Sequence, residues 1–131
     1  MIRSLILALP LVLFAASGAD RDCNNPMDQS TMNICADKDY RAADKKLNDV
    51  YSKVMTALDD AGYRAKLKTA QRAWIQYRDT ECTFEVAENE GGSIYPLVYS
   101  GCLTRLTGAR TKELQTYLAC FKDADKCGAP Q

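Results

Sequence analysis

The 131-residue sequence contains no histidine. Histidine is the side chain whose unperturbed pKa lies nearest neutrality, so its absence excludes an imidazole proton shuttle, a Ser/His or Cys/His nucleophile pair and a histidine-ligated zinc site. An excess of positive charge is absent too, because 17 Lys and Arg balance 17 Asp and Glu. Nucleic acids are bound through clustered basic side chains that release counterions. We therefore expect no nucleic-acid partner.

Long hydrophobic runs are missing except at the N-terminus. Residues 1–19 combine a basic start at Arg3, an apolar run from Leu5 to Ala16 and small residues at Ser17 and Ala19, which is typical of a secretory signal peptide. The run is too short to span a bilayer permanently, so no stable membrane insertion is expected. Cleavage near Ala19 would release a single domain, residues 20–131, to the periplasm or the medium.

No two cysteines are spaced as C-x-x-C, although the chain has six of them. The missing motif argues against a redox pair or a zinc knuckle, and an even number of cysteines in a short exported chain indicates three disulfides. Neither a metal nor a cofactor is expected. The six residues are Cys23, Cys35, Cys82, Cys102, Cys120 and Cys127.

Strand-like alternation is absent as well, and apolar residues instead recur every three or four positions in three segments. The first predicted helix covers residues 28–61, with Gly62 as a left-handed terminator. The second runs to about Glu88, where Gly91 and Gly92 stop it, and the third resumes after Pro96. Tight turns between three helices predict an all-α, small antiparallel three-helix bundle that is stapled by disulfides.

An antiparallel register also predicts which residues lie level with one another. Reflection about the Gly91-Gly92 turn brings Cys82 level with Cys102, which predicts a disulfide between them. Six cysteines allow 15 pairings by counting alone, and short spacing favours local pairs at the two ends of the chain. These local pairs are Cys23 with Cys35 and Cys120 with Cys127.

The same reasoning about the first turn predicts charge pairs between the first and second helices. Lys38 comes level with Glu85, and Arg41 comes level with Glu81. Opposite signs at matching positions support the register, although any one pair is also compatible with a solvated surface that contributes little energy.

Two blocks of the sequence carry a resemblance to a known family. These are AQRAWIQYRDTEC at residues 70–82 and the run from Gly91-Gly92-Ser93 through Cys102 to Leu106-Thr107 and Arg110. With them, the mature chain to about Leu118 resembles the lysozyme inhibitor LprI-like family of exported bacterial proteins. The resemblance implies a binding protein that inhibits lysozyme-like muramidases. The alternative is a non-catalytic structural or interaction module of the bacterial cell envelope.

The connection between the second and third helices is the segment best shaped to enter a cleft. A muramidase cleft is lined by two catalytic carboxyl groups, and hydroxyl or amide groups on a protruding loop can donate hydrogen bonds to them. In the alternative interpretation, the glycines only end the second helix and reverse the chain, and Ile94 and Tyr95 pack beneath the turn. The predicted partner-binding residues are Asn89, Glu90, Gly91, Gly92, Ser93 and Tyr95, and we name residues 89–95 the contact loop.

A second group of residues is predicted to be structural. Trp74 lies opposite Arg110 on the apolar stripes, and Asp79 lies level with Arg105, so Trp74, Arg78, Asp79 and Arg110 are expected in or against the core. The alternative is a recognition patch with an aromatic anchor, because Trp and Arg are favoured at interface hot spots.

Glu81, Glu85 and Glu88 form an acidic ridge at helical spacing. Catalysis by a carboxylate pair needs one carboxyl in an apolar pocket that raises its pKa, and the sequence supplies no such pocket. No catalytic residue is predicted, and the protein is not expected to be an enzyme.

The register generates a covalent prediction: the oxidised mature protein has no free thiol, and Cys82 is bonded to Cys102. Peptide mapping under non-reducing conditions measures this directly. A peptide that joins Cys82 to any other cysteine would contradict the register together with the pairing.

Overall fold

The computed structural model describes residues 22–123, which contain three long helices. They are α1 (Gln29–Ala57), α2 (Ala61–Glu85) and α3 (Tyr95–Lys122), with a 3₁₀ turn at Ala87–Asn89. No strand occurs in this range. The predicted all-α, three-helix fold is confirmed. The predicted signal peptide, residues 1–19, lies outside the described residues.

α1 and α2 begin where a side chain satisfies a free backbone N–H group. The carboxylate of Asp28 accepts hydrogen bonds from the Thr31 amide at 2.8 Å and from the Thr31 hydroxyl at 2.7 Å. Asp60 accepts a bond from the Tyr63 amide at 2.8 Å and so begins α2. Pro96 lies in the first turn of α3, where its missing N–H costs nothing. A cap of this kind stabilises a helix by about 1 kcal/mol.

The predicted role of Gly62 is wrong. α1 ends at Ala57, and Gly62 lies in the first turn of α2. The chain turns at Leu58, which has an extended backbone and is buried. The Arg64 guanidinium donates to the carbonyl oxygens of Leu58 and Asp59, which satisfies acceptors at the end of α1 without a left-handed glycine.

α3 packs along α1 over much of its length, and α2 contacts α3 less extensively. Small hydroxyl side chains on the buried face of α3, at Ser100, Thr107 and Thr111, allow the two helix axes to approach closely. The Thr111 hydroxyl donates to the Thr107 carbonyl of its own helix at 2.8 Å, so its polar group is satisfied inside the interface.

Two apolar clusters form the core. The larger joins α1 to α3, and the smaller surrounds the disulfide between α2 and α3. The first contains Leu47, Val50, Val54, Leu58 and Leu114. The second contains Cys82, Cys102 and Leu103, with Tyr40, Tyr99 and Leu106 packed against it.

The predicted disulfides Cys82–Cys102 and Cys23–Cys35 are both confirmed. Cys120 is disulfide-bonded as well, and its predicted partner Cys127 lies outside the described residues. The Cys82–Cys102 bridge closes a sequence separation of 20 residues. In the chain-entropy account, a loop of this size stabilises the fold by about 3 kcal/mol.

The predicted charge pairs between α1 and α2 do not form. Arg41 pairs with Asp37 of its own helix at 2.7 Å, and Glu85 pairs with Arg105 of α3. The reason is that the Cys82–Cys102 bridge holds this end of α2 against α3 rather than against α1.

The backbone generates a paired stability prediction. Gly91 has φ +77°, which L side chains rarely adopt, so Gly91→Ala should destabilise the fold by about 1 kcal/mol or more. Gly101 lies inside α3 with open space around an added Cβ, so Gly101→Ala should stabilise it by up to about 1 kcal/mol. Urea unfolding followed by circular dichroism measures both. Changes of the same sign would contradict the assignment.

Candidate functional site

The contact loop is fixed by its own backbone. Val86 is buried beneath it, and its carbonyl accepts the Asn89 amide at 2.9 Å. The Gly92 amide then donates to the Asn89 carbonyl at 2.9 Å, and a Cβ at Gly92 would lie 3.1 Å from that same oxygen. Together with the positive φ of Gly91, this close approach explains why two glycines stand here.

The loop is also tied to both neighbouring helices. The side-chain amide of Asn33, in α1, donates to the Ser93 carbonyl at 3.0 Å. The Tyr95 ring stacks on Tyr99 one helical turn further along α3, with centroids 5.7 Å apart and planes 10° from parallel. The disulfide Cys82–Cys102 closes the base. The loop is therefore held in place from three sides.

The structure brings the predicted contact residues together at one end of the bundle. Glu90, Gly91, Gly92 and Ser93 are exposed, and Asn89 is half-buried. Tyr95 is also half-buried because of its stacking on Tyr99, so the polar groups most open to a partner are those of Glu90 and Ser93. Ile94 remains 40% exposed, so it does not pack fully beneath the turn.

A polar and aromatic cluster lies at mid-height of the bundle, and Arg78 is its centre. The Arg78 side chain is 7% exposed, and its guanidinium lies 5.4 Å from the Tyr40 ring centre and 5.3 Å from the Trp74 ring centre. Its Nε donates to Asp79 at 2.8 Å, while Nη1 lies 3.4 Å from both Asp44 and Thr107. One side chain of α2 thus contacts both other helices.

Arg110 occupies the neighbouring position. Its guanidinium lies 6.0 Å from the Trp74 ring centre, its Nε donates to buried Gln71 at 3.0 Å, and its Nη1 donates to Glu113 at 2.7 Å. Within residues 22–123, every buried side-chain nitrogen and oxygen has a hydrogen-bond partner. The cluster therefore has no unsatisfied buried polar atom that could bind a substrate. Its contacts instead join the three helices.

Tyr40 is the member of this cluster that presents its ring to Arg78 from α1. Burial raises the pKa of the phenol, and the nearby Arg78 cation opposes part of that effect. The ring consequently stays neutral at physiological pH and offers its face to the guanidinium, an arrangement that favours a cation–π contact.

Arg110 lies over the Trp74 ring, as the antiparallel register predicts, whereas Asp79 does not pair with Arg105, the residue placed opposite it. Asp79 binds the adjacent Arg78, and Arg105 binds Glu85. Four further members of the cluster were not predicted. These are Tyr40, Asp44, Gln71 and Thr107. Reflection about the Gly91-Gly92 turn could have found Thr107, because it comes nearly level with Arg78.

The three carboxylates of the acidic ridge have different surroundings in the structure. Of its three carboxylates, Glu85 pairs with Arg105, while Glu81 and Glu88 have no hydrogen bond or ion pair to any described residue. No group of three or more Cys, Asp or Glu side chains between residues 22 and 123 could hold a metal ion. Among the helices of residues 22–123, none combines the length and the hydrophobicity that a membrane span requires.

An apolar groove of about 220 Å³ lies at the opposite end of the bundle and was not predicted. The final turns of α1 and α3 and the first turns of α2 form it. Its lining residues are Val54, Leu58, Tyr63, Leu67, Tyr117 and Phe121.

The fold and the loop define a disulfide-stapled, all-helical domain that presents one rigid polar connection. The chain belongs to the lysozyme inhibitor LprI family, whose profile matches residues 21–114. An uncharacterized protein of Rhizobium meliloti (strain 1021) is 42% identical over 86% of this chain and 94% of its own length. The uncharacterized protein YecT of Escherichia coli (strain K12) is 26% identical over 89% of this chain and 91% of its own.

A crystal structure of a DUF1311 family protein from Pseudomonas putida KT2440 shares the fold. It superposes with a TM-score of 0.65 at 24% identity and covers 70% of this chain and 94% of its own. At that identity the likeness concerns the fold alone.

The cluster generates a stability prediction that keeps charge constant. Arg78→Lys retains the positive charge but loses the planar guanidinium, which binds Asp79 and stacks between two aromatic rings. The substitution should therefore lower the free energy of unfolding by about 2 kcal/mol. Arg41→Lys, at a side chain that is 77% exposed, should change stability by no more than about 0.5 kcal/mol. Urea titration monitored by the fluorescence of Trp74, the single tryptophan, measures both. Equal losses of unfolding free energy in the two variants would show that the planar guanidinium of Arg78 and its stacking do not stabilise the fold.

Proposed function

We propose that this protein is an exported, non-catalytic binding protein that inhibits a lysozyme-like muramidase through its contact loop. The observation that carries the proposal is the rigid attachment of the loop: backbone bonds, Asn33, the Tyr95–Tyr99 stack and the Cys82–Cys102 bridge hold it, while Glu90 and Ser93 stay exposed. Membership of a family of lysozyme inhibitors supports the proposal.

Rigid attachment favours tight binding for an energetic reason. A loop already held in its bound shape loses little conformational entropy on association. The Ser93 hydroxyl and the Asn89 amide are neutral donors at one end of an elongated molecule, and a muramidase cleft contains two carboxyl groups that accept hydrogen bonds.

A non-catalytic role agrees with the chemistry of the chain. The sequence has no histidine, and the carboxylates of the acidic ridge are exposed or half-buried rather than enclosed in an apolar pocket. Export agrees with the disulfides, because such bonds persist in oxidising compartments such as the periplasm. The proposed location is periplasmic or secreted, after removal of residues 1–19.

The test is a charge-neutral loop variant, Asn89→Ala with Ser93→Ala. Inhibition of muramidase-driven cell-wall lysis should weaken at least about tenfold, which corresponds to about 1.4 kcal/mol of binding free energy. The Asn33 bond goes to the Ser93 carbonyl and survives the substitution, so the melting temperature should stay close to that of the wild type.

The matched control is Ser52→Ala with Gln115→Ala, which removes one hydroxyl and one amide from exposed positions on α1 and α3. This variant should inhibit as strongly as the wild type. Equal inhibition by the loop variant would move the contact elsewhere. A wild type that inhibits no muramidase would instead favour a structural or interaction module of the cell envelope.

A further inference from the structure

The balanced charge of the whole chain conceals a strong separation along the bundle. Asp44, Arg78 and Thr107 lie in one layer, which divides the described residues into two halves. The half with the contact loop, residues 22–43 and 79–106, carries nine carboxylates and three basic side chains. The opposite half, residues 45–77 and 108–123, carries ten basic side chains and five carboxylates.

This separation extends over a distance that matters for recognition. α1 alone has 29 residues, which corresponds to about 43 Å at the rise of an α-helix. Charges are screened over about 8 Å at physiological ionic strength. An approaching partner therefore responds to the charge of the end that it meets, and the neutral total has little effect on it.

An exposed aromatic face of α2 begins at Tyr77, next to the dividing layer, and extends into the half that carries the contact loop. Tyr77 and Phe84 lie seven residues apart on the side of α2 opposite its buried residues, and they are 52% and 78% exposed. Thr80 and Glu81 lie between them on the same side. The Thr80 hydroxyl is satisfied by carbonyl groups of its own helix. We name Tyr77, Thr80, Glu81 and Phe84 the outer face of α2.

Carboxylates surround this face without basic residues among them. Residues 79–94 contain five carboxylates and no Lys or Arg. Arg78 neutralises Asp79, and Arg105 neutralises Glu85. Glu81, Glu88 and Glu90 have no ion pair to any residue between 22 and 123, so their charges face solvent.

We propose that the outer face of α2 continues the contact surface of the loop, and that the partner which covers both is a basic protein presenting Lys and Arg side chains. This inference rests on the proposed function, because it names the chemistry of the partner. Exposed aromatic rings bind guanidinium and ammonium groups over their faces, while neighbouring carboxylates supply the counter-charge. The chain uses the same pairing internally, where Arg78 lies between Tyr40 and Trp74 beside two aspartates.

Continuity with the loop supports this choice of partner. The outer face of α2 reaches the last turn of that helix, and the 3₁₀ turn Ala87–Asn89 then leads directly into the loop. Binding through this surface should show fast association that weakens with salt, because complementary charge acts chiefly on the encounter rate.

The experiment measures association of the oxidised protein with a basic c-type lysozyme, by stopped-flow at low and at high salt. The face variant is Glu81→Lys with Glu88→Lys. The matched control is Asp49→Lys with Asp59→Lys, which makes the same change in total charge at the basic end. We expect the face variant to associate at least about tenfold more slowly at low salt, the control to stay within about twofold of the wild type, and the difference to shrink at high salt.

A second variant tests the aromatic part of the face. Phe84→Ala removes a largely exposed ring, so its melting temperature should hardly change, while its complex should dissociate several-fold faster. The same lysozyme with acetylated lysines should associate slowly with the wild type, because its charge is reduced.

The outcomes separate the two proposals. If the face variant and Phe84→Ala bind as the wild type does while the loop variant loses inhibition, the inference about α2 is overturned and the proposed function stands. If the wild type binds native but not acetylated lysozyme through α2 without slowing lysis, the inference stands and the inhibitory function is overturned. A wild type that binds neither form overturns both.

Discussion

The burial of one guanidinium group between two aromatic rings is the constraint on which the rest of this bundle depends. Arg78 contacts Tyr40 and Asp44 of α1, Trp74 of its own helix and Thr107 of α3. A cation in such a position is costly to desolvate unless its donors are satisfied, and here its nitrogens reach two carboxylates and a hydroxyl. Because these partners come from three helices, they fix the positions of the helices relative to one another along the bundle axis.

Apolar packing alone would determine the position of α2 along the bundle axis only weakly. α2 contacts α3 less than α1 does, and its buried residues are Gln71, Arg78 and Cys82 rather than a row of leucines. The second helix is therefore held by polar and covalent links at defined points. One of these links, the Cys82–Cys102 bridge, closes the base of the contact loop and so holds the loop in place as well.

The separation of charge follows from the same register. α2 carries its basic residues early and its acidic residues late, and an antiparallel α2 brings its acidic end to the starts of α1 and α3. The carboxylate of Asp28, at the N-cap of α1, is also favoured by the dipole of that helix. The fold thus concentrates negative charge around the exposed loop, where a partner would meet it.

Much of this arrangement could be predicted from sequence, and particular residues show where prediction ends. The period of the apolar residues identified three helices, and reflection about Gly91-Gly92 identified the Cys82–Cys102 pair, because both depend only on helix geometry and a tight turn. The register does not predict which ion pairs Asp79 and Arg105 form. A guanidinium on a long side chain binds a well-oriented carboxylate within its reach, and that carboxylate can belong to a neighbour in sequence.

The sequence by itself determined the helices, two of the disulfides and a chain without histidine chemistry. Only the tertiary structure decided that Arg64, and not Gly62, satisfies the backbone carbonyls where α1 ends. It also decided that Arg78 lies between Tyr40 and Trp74, and that the positive and negative charges separate to opposite ends of the bundle. The physical reason is that local periodicity and turn residues act over a few positions, whereas stacking, ion pairing and the electrostatic field depend on distances between residues far apart in the chain.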